Sequence, residues 1–329
     1  MRVGLPRALI YHYYYPLWKN LFEQFDVQVV ISDITSKELI QKGIKVTVPE
    51  ICLPIKAFNG HVINLLSKNV DYIFIPRFVG IESKKWFCPK FIGLPELVGY
   101  TIDGVKDKML TIDIHGNRED TCLLENYRPL CNVFNITEKE LKKALKKASA
   151  YWQEFKQYCM KGFTIEESMQ ILNGEQMVSN THPEITLGLL GYVYNIYDPF
   201  VSMDIIKRLR QMDVKVITFE MMHEKDIANV FSKKSKSIYW TFSNKIYGAA
   251  KVLMNDPEVD GFIHVTAFGC GPDSIIGKLM ELDSDKFRKP FMTLRVDEHT
   301  GESHLQTRIE AFVDMIKRKK FAEQRRELA

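Results

Sequence analysis

Gly261-Phe262-Ile263-His264-Val265, running directly into Thr266-Ala267-Phe268-Gly269-Cys270-Gly271-Pro272-Asp273-Ser274, decides how this chain is read. The apolar run predicts a buried strand. Ile275 to Leu282 predicts a helix, with Asp273 or Ser274 as its cap. Cys270 then falls on a tight turn at the carboxyl end of a strand, beside a helix N-terminus. Gly269 and Gly271 remove bulk on both sides, so backbone N–H groups can approach whatever the sulfur holds. Gly269, Gly271 and Ser274 are therefore candidate cofactor-binding positions around Cys270. A helix end with unpaired N–H donors suits an anionic, sulfur-rich centre. A packed, unreactive thiol in a glycine turn is the plainer alternative.

The same strand-then-helix rhythm extends through the chain. Met1 to Leu5, Val27 to Ser32 and Asp71 to Pro76 predict strands. Between them lie an aromatic stripe at helical spacing (Tyr11, Tyr14, Trp18, Leu21, Phe22), a short capped helix from Ser36, and a helix from Lys56 to Lys68. Leu110 to Asp113 predicts a last strand of this half. Two capping boxes, Thr137-x-x-Glu140 and Thr164-x-x-Glu167, open two further helices. The second half repeats the first: a strand near Leu187, an aromatic-rich turn, a helix with Leu209 and the strand Val214 to Thr218. The strand at Val259 to His264 resembles Val70 to Ile75, Lys289 to Val296 predicts the last strand, and an amphipathic helix runs from Leu305 to about Lys320. Alternation of this kind predicts parallel sheets. The expected fold class is α/β: two tandem Rossmann/flavodoxin-like parallel-sheet domains, with a helical connector and a C-terminal helix. The expected domains are 1–135, a helical connector at 136–183, and 184–329.

With 329 residues and a net charge of +4, the chain is long enough for two cores and too weakly basic to argue for nucleic acid. No apolar run reaches the roughly 18 residues of a membrane span. The opening Met1 to Pro6 lacks signal-peptide architecture. A soluble, cytoplasmic protein with no membrane partner is expected.

The six cysteines, Cys52, Cys88, Cys122, Cys131, Cys159 and Cys270, contain no Cys-x-x-Cys pair. A disulfide framework is not expected in this setting, and a metal site has to be assembled from separate turns. Cys88 sits in Trp86-Phe87-Cys88-Pro89-Lys90, in the loop after the strand Asp71 to Pro76. Cys52 sits in Pro49-Glu50-Ile51-Cys52-Leu53-Pro54, after the apolar run Val46 to Val48, at an expected strand-to-helix turn. In open α/β sheets ligands gather outside the carboxyl ends of strands, so Cys52, Cys88 and Cys270 are expected to converge in a cleft between the domains. Thiolates in apolar turns suit an iron–sulfur cluster. Zinc, with His61 or His299 as fourth ligand, competes, as does simple packing of all three thiols. Glu298 and His299, in Asp297-Glu298-His299, are candidate proton donors; a hydrogen-bonded turn is the alternative. His61 is a candidate donor to the cofactor. Arg77 holds an anion or pairs with a carboxylate. Cys122, Cys131 and Cys159 read as bystanders.

Several spaced motifs occur together. They are Gly4-Leu5-Pro6-Arg7-Ala8-Leu9, Glu50-x-Cys52-x-Pro54 with Gly60-His61, Cys88-Pro89-Lys90, Gly269 to Ser274, Asp297 to Thr300, and Thr307-Arg308-x-Glu310-Ala311-Phe312. The set resembles the CoA-substrate-specific enzyme activase-related family, related to 2-hydroxyacyl-CoA dehydratase subunits and double-cubane-cluster proteins. That resemblance implies that Cys52, Cys88 and Cys270 hold a [4Fe–4S] cluster or a larger iron–sulfur cluster such as a double cubane. It also implies oxygen-sensitive, anaerobic chemistry. The cluster would accept low-potential electrons from a separate ATP-dependent iron–sulfur activase, for the reduction or reductive dehydration of a small-molecule substrate. A homodimer or a related partner subunit fits the same picture. A non-catalytic cluster carrier, scaffold or small-molecule-binding module of the same fold is the alternative. The chain has no Gly-x-x-x-x-Gly-Lys-[Ser/Thr] loop, so ATP use is assigned to the partner.

Overall fold

The computed structural model describes residues 1–116, 121–177, 183–231 and 237–327. Ten strands are described: β1 Arg2–Leu5, β2 Gln28–Ile31, β3 Tyr72–Phe74, β4 Arg77–Gly80, β5 Met109–Leu110, β6 Asp113–His115, β7 Ile185–Gly191, β8 Val214–Ile217, β9 Gly261–Ala267 and β10 Phe291–Val296. All their pairings are parallel. The chain divides into two compact units, one of Met1–Tyr158 with Ile238–Phe242, the other of Cys159–Ser237 with Ser243–Ala329.

The first unit carries a four-stranded sheet in the order β2-β1-β3-β5 and a small β4-β6 pair. The strand expected at Leu110 to Asp113 is in fact the end of β5 and the start of β6, in different sheets. The aromatic stripe is core, as its spacing predicts. Tyr14 and Trp18 are buried, Tyr14 stacks on Trp152 at 5.2 Å, and Trp18 meets Phe74 edge-on at 5.3 Å. Trp152 comes from the long helix Glu138–Met160, whose indole N–H donates to the Tyr13 carbonyl at 3.3 Å. That helix, expected as part of a connector, packs mostly into this unit. The boundary expected between Asn173 and Pro183 includes residues 178–182, outside the described residues.

The second unit has the order β10-β9-β7-β8. Numbered by their own sequence order, both four-stranded sheets read 2-1-3-4, so the repeat inferred from the sequence is a repeat of topology. Every residue of β9 is buried, as a central parallel strand covered on both faces requires. The terminal helix runs Glu302–Glu327, longer than its apolar stripe. Leu305, Ile309, Phe312, Val313 and Ile316 form the buried side. The helix Thr241–Met254 went unseen in the sequence because polar Ser243, Asn244 and Lys245 on its first turn are buried and blur its apolar stripe. Among the described residues no helix is long and apolar enough to cross a membrane.

One local expectation is overturned. Val46 to Val48 is not a strand: Ser36 caps a helix Lys37–Lys45 that ends at Val46, and the chain then turns. Cys52 is therefore reached from a helix. This helix crosses Leu53–Leu66 almost backbone to backbone. A Cβ on Gly43 would stand 1.8 Å from the Lys56 carbonyl oxygen, and one on Gly60 would stand 2.2 Å from that of Leu39. Alanine in a helix interior gains up to about 1 kcal/mol over glycine, but a backbone clash cannot be relieved by a rotamer. Gly60→Ala is expected to destabilise the protein by about 1–3 kcal/mol. Gly99→Ala is expected to be neutral or stabilising, because its nearest neighbour is the Met109 sulfur at 3.4 Å. Urea unfolding of the two variants checks the contrast.

Candidate functional site

Cys52, Cys88 and Cys270 share one local setting. Each is the residue immediately before a helix, and each of those helices has proline in its first turn: Leu53–Leu66 with Pro54, Pro89–Ile92 with Pro89, Gly271–Lys286 with Pro272. Proline fits there because the first N–H groups have no helical partner. In none of the three does the thiol cap its own helix. The other three cysteines differ. Cys131 and Cys159 lie inside helices, and Cys122 precedes the helix Leu124–Tyr127 without forming its start. No disulfide is present among the described residues.

In the first unit, Cys52 and Cys88 are close enough that one thiolate raises the proton affinity of the other. Burial pushes the Cys88 thiol up, the Lys90 amide pulls it down, and Cys52 pushes it up again. Phe87 holds Cys88 in place against Phe78 at 5.0 Å and Phe242 at 5.5 Å. Trp86 also pairs with Trp240 in a parallel bridge. Sequence reading missed that distant segment, since nothing local marks it. The Cys52 turn is tied down by Lys56, which donates to the Pro49 carbonyl at 3.0 Å, and by Asn59, which donates to the Thr47 hydroxyl at 2.9 Å.

In the second unit, Cys270 follows β9 as expected. Gly269 has φ +73°, which only glycine adopts without strain, and a Cβ on Gly271 would meet nothing within 4 Å. The Ser274 hydroxyl donates to the Cys270 carbonyl at 2.7 Å, so it braces the turn. A feature the sequence did not disclose lies beneath it. His264 of β9 and Asp273 of the helix, both fully buried, are joined at 3.0 Å. Gly277 makes room for the imidazole, since a Cβ there would stand 2.7 Å from it. The pair clamps strand to helix on either side of Cys270. Asp297 to Thr300 leaves the adjacent strand end: Phe268 N–H donates to the Val296 carbonyl at 2.9 Å. This segment is a hydrogen-bonded turn, in which Asp297 accepts from the His299 amide and the Thr300 hydroxyl, both at 2.9 Å. His299 is exposed and lines a shallow hollow of about 390 Å³ with His304 and Arg308.

Two other candidates have structural partners. Arg77 is paired: two nitrogens meet Glu96 at 2.5 and 2.8 Å, and a third meets Asp113 at 2.9 Å. His61 is fully buried, with Nδ1 at 2.8 Å from the Ser32 hydroxyl and Nε2 at 3.0 Å from that of Thr35. Both ring nitrogens are thus occupied by hydroxyls that tie the end of β2 to the helix behind Cys52. Among the described residues no group of three or more His, Cys, Asp or Glu side chains is gathered as the ligands of a single metal ion.

A family model described as a CoA enzyme activase uncharacterised domain matches residues 2–222. The match covers more than half of the chain, including Cys52 and Cys88, and ends before Cys270. No curated protein matches the chain.

The buried histidines give the first unit a defined response to acid. Burial pushes His61 and His12 each down to about 3, and the Arg7 guanidinium adds to the effect at both. The unfolded chain takes up protons on these rings below about pH 6.5 and the folded chain does not. Their contribution to stability is complete above that pH and is lost as the pH falls. The slope reaches at most about 1.4 kcal/mol per pH unit for each ring. Urea midpoints measured between about pH 7 and about pH 4 are expected to fall accordingly, and His61→Gln is expected to flatten the decline by about half.

Proposed function

The chain belongs to the family of the CoA enzyme activase uncharacterised domain, and we propose that it is an iron–sulfur protein of reductive metabolism. A [4Fe–4S] or larger cluster is held by Cys52, Cys88 and Cys270. It takes low-potential electrons from a separate ATP-dependent iron–sulfur activase and passes them to a small substrate. The observation that carries the reading is the shared setting of these three thiols, each at a proline-opened helix start, against the different settings of the other three. The family's description as an enzyme activase domain supports a partner enzyme in the same system.

The residues fit such a group in kind. Helix N-termini stabilise the negative charge of thiolate-bound clusters. Thiolates on different irons of a cluster stand farther apart than the ligands of one ion. His61, with both nitrogens bonded, serves the zinc reading poorly. When bound, the cluster supplies one-electron reduction and, with three protein ligands, an iron open to substrate. The chain's own part is to hold the sulfurs in rigid turns, to keep water from Cys88 with Phe87 and Phe91, and to offer Glu298 and His299 as proton carriers beside the Cys270 strand end.

Purified without oxygen, the protein is expected to be brown, with iron and acid-labile sulfide. Cys52→Ser, Cys88→Ser and Cys270→Ser should each lose most of the iron, whereas Cys131→Ser and Cys159→Ser should keep it. A colourless protein carrying stoichiometric zinc would overturn the proposal. Substrate reduction on adding activase, ATP and a reductant separates an enzyme from a carrier.

A further inference from the structure

The carboxyl edge of the first unit's sheet carries positive charge that nothing offsets. In the order β2-β1-β3-β5 the connections leaving β1 and β3 run to opposite sides, which is where open α/β sheets receive ligands. Arg7 stands there, two residues past the end of β1. Its backbone N–H donates to the Ser32 hydroxyl at 2.7 Å, the same hydroxyl that holds His61. Its side-chain Nε is buried and has no hydrogen-bond partner; the guanidinium also bonds the Tyr11 hydroxyl, a neutral partner that leaves its charge uncompensated. His12, one turn on and 9 % exposed, has its Nε2 buried and equally without a partner. Between them Leu9 is held at φ +54°, a conformation that a leucine adopts only under constraint. The helix Tyr11–Glu23 starts here with no side-chain cap and no acidic residue in its first turn, although its Tyr11 and Tyr13 amides donate to the Ala8 and Ile10 carbonyls, both at 3.1 Å.

A half-buried guanidinium without a counter-charge is costly, as are buried nitrogens without partners. This cluster has both, and it stands at the ligand-receiving edge. The geometry points to a binding site for the carboxylate group of a small organic acid, held by the Arg7 fork and the His12 N–H. A carboxylate fits the planar two-pronged donor. It is favoured over phosphate because the surface flanking Arg7 is apolar. Pro6 and Ala8, the neighbours of Arg7 in the chain, line a slot of about 20 Å³ with Leu5, Phe58, Phe74 and Phe91. The neutral state of His12, pushed down to about 3 by burial, leaves it one N–H to donate. The site lies within one unit and involves none of the three cysteines, so it stands or falls apart from the cluster.

The test uses the full chain without iron and ¹³C-labelled acetate, with binding read by NMR titration. Sodium phosphate and sodium chloride at matched ionic strength are the comparators. Acetate is expected to bind with Arg7→Gln weakening it at least about tenfold, the loss of a charge-assisted pair of hydrogen bonds. Arg7→Lys should lie between, and Arg128→Gln should change nothing. Phosphate should bind at least about tenfold more weakly than acetate. In parallel, phenylglyoxal labelling of the unmutated protein, read by peptide mass spectrometry, should show acetate protecting Arg7 but not Arg128. That measurement decides the matter should Arg7→Gln not fold. No acetate binding at tens of millimolar, unchanged affinity in a folded Arg7→Gln protein, no protection of Arg7, or phosphate binding as tightly as acetate would each overturn the assignment.

Discussion

In the first unit much depends on a neutral imidazole wedged between two hydroxyls. His61 reaches Ser32, at the end of β2, with one nitrogen and Thr35, in the following turn, with the other. Ser32 also receives the Arg7 amide, so one ring links the loops after β1 and β2 to a single helix. That helix is the one that Cys52 opens and that Gly60 presses against Leu39. The glycine contact sets the distance between the two helices, and the histidine ties the segment leading into the first of them to the second. Buried polar groups stay in place only when fully bonded. The satisfaction of His61 is therefore a condition for the position of the thiol at the head of its helix.

The unsatisfied groups have the opposite meaning. Most polar atoms in a protein interior find partners, so those that do not are informative by where they fall. In the first unit they include Arg7 Nε and His12 Nε2, after β1. In the second they include both amide atoms of fully buried Asn195, just after β7, and the hydroxyl of Thr266, near the end of β9. Arg7 and Asn195 each follow the first strand of a 2-1-3-4 sheet, whereas Thr266 lies within the third. An orphaned buried polar group costs about 1–3 kcal/mol, so several at corresponding edges of two repeated units are a substantial charge against stability. Part of that cost is borne at the edges where this topology takes ligands.

How much of this the sequence disclosed depends on how far the cause of each feature reaches along the chain. Strands such as Gly261 to Val265 and caps such as Thr164 with Glu167 are local, and the structure has them where the residues put them. The repeat was visible because it is carried by the order of local elements. Val46 to Val48 misled because two valines around Thr47 look alike at a helix end and in a strand; only the Gly43–Gly60 contact, a tertiary cause, decides between them. The three cysteines could be singled out by their glycine and proline neighbours, which are local. The role of His61 could not, since Ser32 is 29 residues away; for Arg77 the sequence offered a carboxylate pair but not Glu96, 19 residues on. The His264–Asp273 pair is only nine residues apart, yet it crosses from a strand to a helix, and strand and helix periodicities do not register such a contact.

The two units share a strand order but have diverged in the chemistry of their edges. After β1 the chain places proline and arginine, the arginine amide held by the Ser32 hydroxyl. After β7 it places Tyr192, whose hydroxyl lies 2.7 Å from that of Ser243, and then the unpartnered Asn195. Charge has been kept on one copy and neutral hydrogen-bonding capacity on the other. A site that had to recognise one anion twice would have kept arginine in both, because the backbone that presents it is the same. The divergence instead gives each edge its own chemistry: a guanidinium after β1, amide and hydroxyl groups after β7.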